Sequence, residues 1–259
     1  MAFVSWLETA RDKALIIAHR GGAALGPENS ALAFSLAGEA GADAVETDVR
    51  VSADGMLVCL HDADMQRIAG DPREVSALDL KTLKDLVPDL LTLEAAIAAS
   101  APLGILLDVK LTDGTHLVEI IRTVEATGAS RRAILGLRNM GLIAEVRSIG
   151  CEMAILGLLP DADSSEEAAD LGADWFRLWQ GEASPDRIAT ARKAGLQVAI
   201  MVGQPRNVPL PEYPQFAVGL VDAEGLEKLR KLAPDAIMLD DPRLLWTNQR
   251  GSPIHAISP

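Results

Sequence analysis

Two histidines stand at the ends of short apolar runs, where turn residues are more usual. His19 follows the run 15–18 and precedes an arginine, and His61 follows the run 57–60 and precedes an aspartate. Between them, the apolar run 44–49 carries two carboxylates. Imidazole titrates near neutral pH and can therefore act as an acid or as a base. Three successive strand-like runs that carry titratable residues predict an active site, and we expect it to be built around a metal.

The two carboxylates, Glu46 and Asp48, are two residues apart in a strand pattern, so their side chains point to the same face. They repel each other unless a cation lies between them, and oxygen ligands suit Mg²⁺ or Ca²⁺ better than Zn²⁺. The run 103–110 also ends in an acid and a base, Asp108 and Lys110. Asp108 is therefore a candidate third ligand, and Lys110 could face the same ligand-binding space. Two alternatives stay open: a solvated strand edge for the first two acids, and a structural ion pair for Asp108 and Lys110.

Strand-like runs alternate with helical patterns along almost the whole chain, which is typical of an α/β fold with a parallel sheet. The length of 259 residues is close to the roughly 250 residues of a typical eight-stranded α/β barrel. We therefore predict a single (β/α)8 TIM barrel that occupies residues 1–259 as one domain. The eight barrel strands are expected at residues 15–19, 44–49, 105–110, 133–137, 153–158, 175–179, 198–202 and 236–240.

A ninth strand-like run, residues 57–61, follows the pair Asp54-Gly55, which is a strong signal for a hairpin turn. We interpret this run as a small hairpin arm that doubles back from the second strand. Active sites of α/β barrels lie at the carboxyl ends of the strands, which is where His19 and the candidate metal ligands fall. His61 joins them if the arm folds over the barrel mouth.

The composition narrows the range of partners. A net charge of -13 repels nucleic acids and anionic membranes, so we expect a small-molecule partner. No window approaches the roughly 18 apolar residues of a membrane span, and the first residues lack the pattern of a signal peptide. Cys59 and Cys151 are too few for a disulfide framework. We expect a soluble, cytoplasmic protein, and the sequence leaves both a monomer and a homo-oligomer open.

Several segments together resemble the glycerophosphodiester phosphodiesterase family. The stronger ones, all within residues 19–62, are His19-Arg20-Gly21-Gly22, Pro27-Glu28-Asn29-Ser30, residues 41–49, Ser52-Ala53-Asp54-Gly55 and Val58-Cys59-Leu60-His61-Asp62. Weaker similarities are Leu91-Thr92-Leu93-Glu94, Asp108-Val109-Lys110 and Leu239-Asp240-Asp241-Pro242. The stronger segments are long and follow one another in order, so the resemblance is specific.

This resemblance implies the hydrolysis of glycerophosphodiesters to glycerol phosphate and an alcohol, in a barrel that holds one divalent cation. It implies three sets of site residues: His19 and His61 as the catalytic acid–base pair, Arg20 and Lys110 on the substrate phosphate, and Glu46, Asp48 and Asp108 as metal ligands. Asp108 stands where the family usually has Glu. Aspartate is shorter by one methylene, so the metal distance or the metal itself can differ.

Two segments near the expected rim depart from the family pattern. Met201-Val202-Gly203-Gln204 stands in place of a Trp-Thr-Val-Asn run, and Leu137-Arg138 stands in place of a Ser-Phe pair. Both positions are expected where the alcohol part of a substrate would lie. They leave two alternatives open beside hydrolysis: a phospholipase-D-like lyase that forms a cyclic phosphate, and a barrel that binds a phosphodiester without turnover.

Overall fold

The computed structural model describes residues 13–205 and 216–246. Its strands are β1 (Leu15–Ala18), β2 (Ala44–Val51), β3 (Leu57–Cys59), β4 (Asp64–Met65), β5 (Asp71–Glu74), β6 (Gly104–Val109), β7 (Ala133–Leu137), β8 (Ala154–Gly157), β9 (Trp175–Trp179), β10 (Gln197–Met201) and β11 (Ala236–Leu239). Its α-helices are α1 (Ala31–Glu39), α2 (Gln66–Ala69), α3 (Leu80–Leu86), α4 (Leu93–Ser100), α5 (Leu117–Ala126), α6 (Met140–Ser148), α7 (Ser165–Asp170), α8 (Pro185–Lys193), α9 (Ala223–Leu232) and α10 (Arg243–Trp246).

Eight parallel strands close into a barrel. They follow one another in the order β1, β2, β6, β7, β8, β9, β10 and β11, and β11 pairs back with β1. Every barrel strand expected from the sequence overlaps an observed one, and β2 runs two residues further than expected. The predicted (β/α)8 barrel is therefore confirmed.

Alternate residues of the barrel strands fill the barrel or face the surrounding helices. Leu106 and Trp175 belong to the apolar cluster inside the barrel, whereas Val45 belongs to the cluster between the strands and the helices. Because side chains alternate along β2 as well, Glu46 and Asp48 point toward the barrel axis. The two carboxylates therefore lie on the same face of β2, as the sequence predicted.

Side-chain caps fix the starts of six of the described helices, including α3, where Asp79 accepts a hydrogen bond from the Thr82 backbone N–H. Ser30, Thr92, Asn139, Ser184 and Asp222 each accept a hydrogen bond from the backbone N–H three residues further on. Such a cap satisfies one of the backbone donors that a helix start leaves without a partner. None of the helices in the described ranges combines the length and the apolar character needed to cross a membrane.

The arm comprises residues 57–90 and begins as a hairpin with β2. β3 runs antiparallel to β2, and the turn between them contains Gly55 at φ 79°. The hairpin predicted from Asp54-Gly55 is therefore confirmed. The arm has a small apolar core of its own, made of Val58, Leu60, Met65, Val75, Leu78, Leu83 and Leu90.

Candidate active site

The mouth of the barrel, at the carboxyl ends of its strands, opens into a cavity of about 650 Å³. Its wall includes most of the site residues that the sequence predicted: His19, Arg20, Glu46, His61, Asp108 and Lys110. Asp48 lies buried against them, with one carboxylate oxygen 2.9 Å from Lys110 Nζ. The structure thus brings all the predicted site residues together.

Three carboxylates converge at one side of this cavity. β2 and β6 pair in parallel so that Asp48 lies opposite Asp108, with Glu46 two residues earlier on β2. One oxygen atom from each of the three lies within 4.8 Å of the others, and all three residues are buried. Burial and the negative charge of Asp48 raise the pKa of Glu46 to about 7. So many buried carboxylates need nearby cations to stay ionised.

Two cationic side chains already contact Asp108. Lys110 Nζ lies 2.5 Å from Asp108 Oδ2, so the ion pair that the sequence left open is present. Arg138 donates from Nε to Oδ1 at 2.7 Å and from Nη2 to Oδ2 at 2.5 Å. Burial would raise the pKa of Asp108, but the charges of Lys110 and Arg138 outweigh it and hold the pKa far below its ordinary value.

The three carboxylates fit a hard divalent cation. An ammonium group already lies between two of them, 2.9 Å from Asp48 Oδ1 and 2.5 Å from Asp108 Oδ2, so this place favours positive charge. Carboxylate oxygens are the ligands that Mg²⁺ and Ca²⁺ prefer. Glu46, Asp48 and Asp108 are the residues that would hold such an ion.

His19 lies in a short 3-10 turn directly after β1. Its Nδ1 lies 2.6 Å from Asp240 Oδ1, and its Nε2 lies 4.0 Å from Glu46 Oε2. Burial lowers the pKa of His19, but the hydrogen bond to Asp240 and the charge of Glu46 outweigh it, so the pKa is raised. Sequence reasoning gave Asp240 no role in the site. The available signal was its place directly after the last barrel strand, which pairs with β1.

The turn that holds His19 needs a left-handed backbone. Arg20 and Gly21 have φ values of 50° and 78°, a conformation that favours glycine. A Cβ atom on Gly21 would lie 2.4 Å from the ring of Phe34, so no larger residue fits at that position without movement. The turn directs the backbone N–H of Arg20 to Glu46 Oε2, at 2.7 Å.

His61 is carried to the cavity by the arm. Arg50 of β2 donates to the His61 carbonyl oxygen from Nε at 3.0 Å and from Nη2 at 2.7 Å. The imidazole Nδ1 lies 2.7 Å from Asp62 Oδ1. Burial lowers the pKa of His61 to about 4. Because His61 lines the cavity, the arm folds over the barrel mouth, and burial of the imidazole favours its neutral form.

Arg67 joins the arm to the turn after β1. Its guanidinium group contacts Asp62 through Nε and contacts both oxygens of Glu28, at 2.5 Å and 3.0 Å. Glu28 also accepts a hydrogen bond from Arg20 Nη1 at 3.1 Å. A chain of ion pairs thus runs from the carboxylate beside His61 to the buried Arg20.

Asn29 makes a hydrogen bond to Asp48, one of the candidate metal ligands. Its φ is 56°, and this left-handed conformation accompanies an amide that contacts β2. Asn29 donates from Nδ2 to Asp48 Oδ2 at 3.0 Å and accepts from Thr47 Oγ1 at 2.7 Å. Sequence reasoning treated this segment as part of a motif and missed the contact, because it joins residues of two separate elements.

Comparisons with known proteins support the family resemblance. The family model of the "Glycerophosphoryl diester phosphodiesterase family" matches residues 19–130, which confirms the resemblance based on the motifs. A protein of Mycobacterium tuberculosis named "Probable glycerophosphodiester phosphodiesterase 1" is 44% identical over 71 residues, which are 27% of this chain and 26% of that protein. The chain thus spans about a quarter of the length of this relative.

Two longer matches cover nearly the whole chain. The "Glycerophosphodiester phosphodiesterase" of Caldanaerobacter subterraneus is 24% identical over 257 residues, which cover 90% of this chain and 96% of that protein. The solved structure of an Oleispira antarctica phosphodiesterase in complex with the product sn-glycerol-3-phosphate has a TM-score of 0.74 at 21% identity, over 92% of this chain and 98% of that one. This structural similarity shows that the two proteins share the barrel fold.

Proposed function

Because residues 19–130 belong to the glycerophosphoryl diester phosphodiesterase family, we propose that this protein hydrolyses glycerophosphodiesters to glycerol phosphate and an alcohol. The proposed cofactor is one divalent cation, Mg²⁺ or Ca²⁺. The observation that carries the proposal is the convergence of two imidazoles and three buried carboxylates on one cavity. Phosphodiester hydrolysis needs proton transfer at two oxygens and compensation of negative charge on the phosphate, and these groups supply both.

The proposed cation ligands are Glu46, Asp48 and Asp108. When bound there, a divalent cation supplies positive charge that stabilises the charge developing on the phosphate oxygens. Asn29 orients Asp48 through the hydrogen bond to Oδ2, and the Arg20 backbone N–H orients Glu46. Groups that make hydrogen bonds to metal ligands orient the ligand oxygens toward the metal.

Arg20 and Lys110 are the proposed phosphate-binding residues. The Nε atom of Arg20 is buried and makes no hydrogen bond within residues 13–205 and 216–246, although the residue lines the cavity. A buried donor without a partner costs free energy. A phosphate oxygen would satisfy it with a charge-assisted hydrogen bond. Lys110 brings its ammonium to the same side of the cavity, beside Asp48 and Asp108.

His19 and His61 are the proposed acid–base pair. Each ring has a carboxylate at Nδ1, Asp240 for His19 and Asp62 for His61. A carboxylate acceptor keeps a proton on Nδ1, so Nε2 is the atom that exchanges protons with the substrate. One imidazole takes the proton of the nucleophile, and the other protonates the departing alkoxide. Each step of this kind contributes roughly 10²- to 10⁴-fold to the rate.

The test is a turnover assay with glycerophosphodiesters in the presence of Mg²⁺ or Ca²⁺, followed by phosphorus NMR. We expect glycerol phosphate as the product and loss of turnover when a chelator is added. His19→Ala and His61→Ala should each lower kcat by roughly 10²-fold or more, with unchanged far-UV circular dichroism. His116→Ala is the matched control, because His116 lies at the start of α5 beside Glu119, on the outside of the barrel.

Three results would contradict the proposal. Full turnover in the His61→Ala protein would remove that imidazole from the chemistry. A cyclic phosphate as the final product would indicate the lyase reaction instead of hydrolysis. Binding of glycerophosphodiesters without any turnover, with either cation, would indicate a barrel that only binds its ligand.

We also propose that the whole chain is one barrel domain and that it works in the cytoplasm. Cys59 and Cys151 are buried free thiols, which fit a reducing compartment. Cell fractionation with an antibody to the native protein tests the location. Recovery of the protein outside the cytoplasm would refute it.

A further inference from the structure

The cavity has two chemically different sides. The carboxylates and imidazoles of the proposed hydrolytic site come from β1, β2, the arm and β6. The other side comes from β7 to β11, where Trp179, Met201 and Met238 supply apolar surface and Arg138 and Arg177 supply positive charge. The proposed hydrolytic steps use none of these five side chains.

Three cationic side chains form an arc along the mouth. Lys110 directly follows β6, Arg138 directly follows β7, and Arg177 lies in β9. All three line the cavity, and the barrel order puts β6, β7, β8 and β9 side by side. The arc leads away from His19, which lies beyond β2 on the other side of the carboxylates.

Arg138 is fixed in place and still open to a ligand. Two of its three guanidinium nitrogens contact Asp108, which orients the planar group. Its side chain is nevertheless 45% exposed, and Nη1 makes no hydrogen bond to the described parts of the chain. A guanidinium group that is already oriented loses little side-chain entropy when it binds an oxyanion.

Arg177 extends the arc deeper into the wall. It is buried, it donates from Nη2 to the Leu159 carbonyl oxygen at 3.0 Å, and its Nη1 lies 3.8 Å from Glu182 Oε2. Its guanidinium carbon lies over the Trp179 ring, 4.7 Å from the ring centre, which is a cation–π contact. A charged group and an apolar face therefore stand together at the end of the arc.

We infer that Arg138 and Arg177, the part of this arc that the first phosphate leaves unused, bind a second oxyanion of the substrate, so that the preferred substrates are glycerophosphodiesters whose alcohol carries a further phosphate or carboxylate group. The inference rests on the proposed hydrolytic function. A phosphodiester has one negative charge, and Arg20 and Lys110 stand beside the carboxylate cluster where that charge would lie. Arg138 and Arg177 stand beyond it. A cavity of about 650 Å³ lies within the usual size range for small-molecule sites.

A matched pair of substrates tests the inference. Glycerophosphoglycerol and glycerophosphoglycerol phosphate differ only in a terminal phosphate on the alcohol. We expect the wild-type protein to have a kcat/KM roughly 10- to 100-fold higher for the phosphate-bearing diester, as one or two charge-assisted hydrogen bonds would give. Arg138→Gln keeps a donor for Asp108 but removes the charge, so it should lower this ratio toward one.

Arg122→Gln is the control, because it removes the same charge from the exposed outer surface of α5. It should leave the ratio unchanged. Three results would overturn the inference: equal kcat/KM values for the two diesters in the wild type, an unchanged ratio in Arg138→Gln, or an equal fall in Arg122→Gln. The second result would mean that Arg138 serves only to neutralise Asp108.

Measurements of binding test this inference independently of the proposed hydrolysis. The dissociation constants of both diesters, measured by calorimetry on the His61→Ala protein, should show the same preference without turnover. If the wild type hydrolyses neither diester, the proposed function fails, while the calorimetric ratio still decides the inference. Equal affinities for the two diesters would then refute the second oxyanion site by itself.

Discussion

Replacing Asp240 by Asn should impair turnover through His19, although Asp240 itself is placed to touch no substrate. Its Oδ1 lies 2.6 Å from His19 Nδ1, whereas the other ring nitrogen, Nε2, is the one that lies 4.0 Å from Glu46 Oε2. Asparagine keeps the size of the side chain and removes its charge. Asp240 is therefore a positioning residue, and the variant measures how much its charge contributes.

The magnitude follows from the type of contact. A hydrogen bond to a charged group contributes about 1.5–3 kcal/mol, against about 0.5–1.5 kcal/mol for a neutral one. Losing the charged part, at about 1.4 kcal/mol for each factor of ten, predicts a fall in kcat/KM of roughly tenfold. If the new amide turns its NH₂ group toward Nδ1, the ring proton moves to Nε2, and the fall approaches roughly 100-fold.

The assay is kcat/KM on a glycerophosphodiester, together with nitrogen NMR of the His19 ring, which reports the proton position. Asp241→Asn is the matched control, because Asp241 is the neighbouring residue but makes a bidentate ion pair with Arg243, at 2.8 Å and 2.9 Å, instead of contacting His19. The reasoning is refuted if Asp240→Asn keeps kcat/KM within about twofold of the wild type. It is also refuted if Asp241→Asn causes an equal loss.

Three further variants or measurements test other parts of the structure. Gly21→Ala should lower the free energy of unfolding in urea much more than Gly55→Ala. The two glycines have nearly the same φ, 78° and 79°, but only a methyl group at Gly21 would meet a neighbouring side chain. Gly55→Ala should cost about 1–2 kcal/mol, and equal losses in the two variants would disprove the clash. Cys59 should resist a thiol reagent in the folded protein, since burial raises its pKa to about 12; labelling faster than unfolding would contradict this. Arg67→Ala should reduce kcat more than Arg67→Lys, which keeps a charge for the two carboxylates that Arg67 joins, and turnover unchanged in both variants would remove this link from the site.

The barrel could be predicted because its strands are buried on both faces. Such strands have short, nearly continuous apolar sequences, and the few titratable residues in them stand out. Glu46 and Asp48 were recognisable for this reason, and their common face followed from the alternation of strand side chains. His61 was recognisable because it ends the apolar run 57–60, and Asp54-Gly55 marked the turn that places this run antiparallel to β2.

The supporting contacts could not be predicted, because they depend on the relative placement of distant segments. His19 and Asp240 are 221 residues apart in sequence, and only the closure of β11 on β1 brings them together. Asn29 contacts Asp48 through a left-handed backbone that asparagine adopts less readily than glycine. Arg138 was recognised as a departure from the family pattern, but its two hydrogen bonds to Asp108 form only because β7 lies beside β6.

Because the arm has a small apolar core of its own, it can unfold at a lower temperature or denaturant concentration than the barrel. One of the two imidazoles is carried by the arm, whose own core lies apart from the two barrel clusters although Leu57 and Cys59 of the arm belong to the outer one, and such units can open locally below the global transition. Warming or mild denaturant would then abolish the proposed turnover while the circular dichroism of the barrel stays intact, and cooling would restore it. An effort to make the protein heat-tolerant should therefore begin with substitutions that stabilise the core of the arm, which includes Met65 and Leu83, not with the barrel.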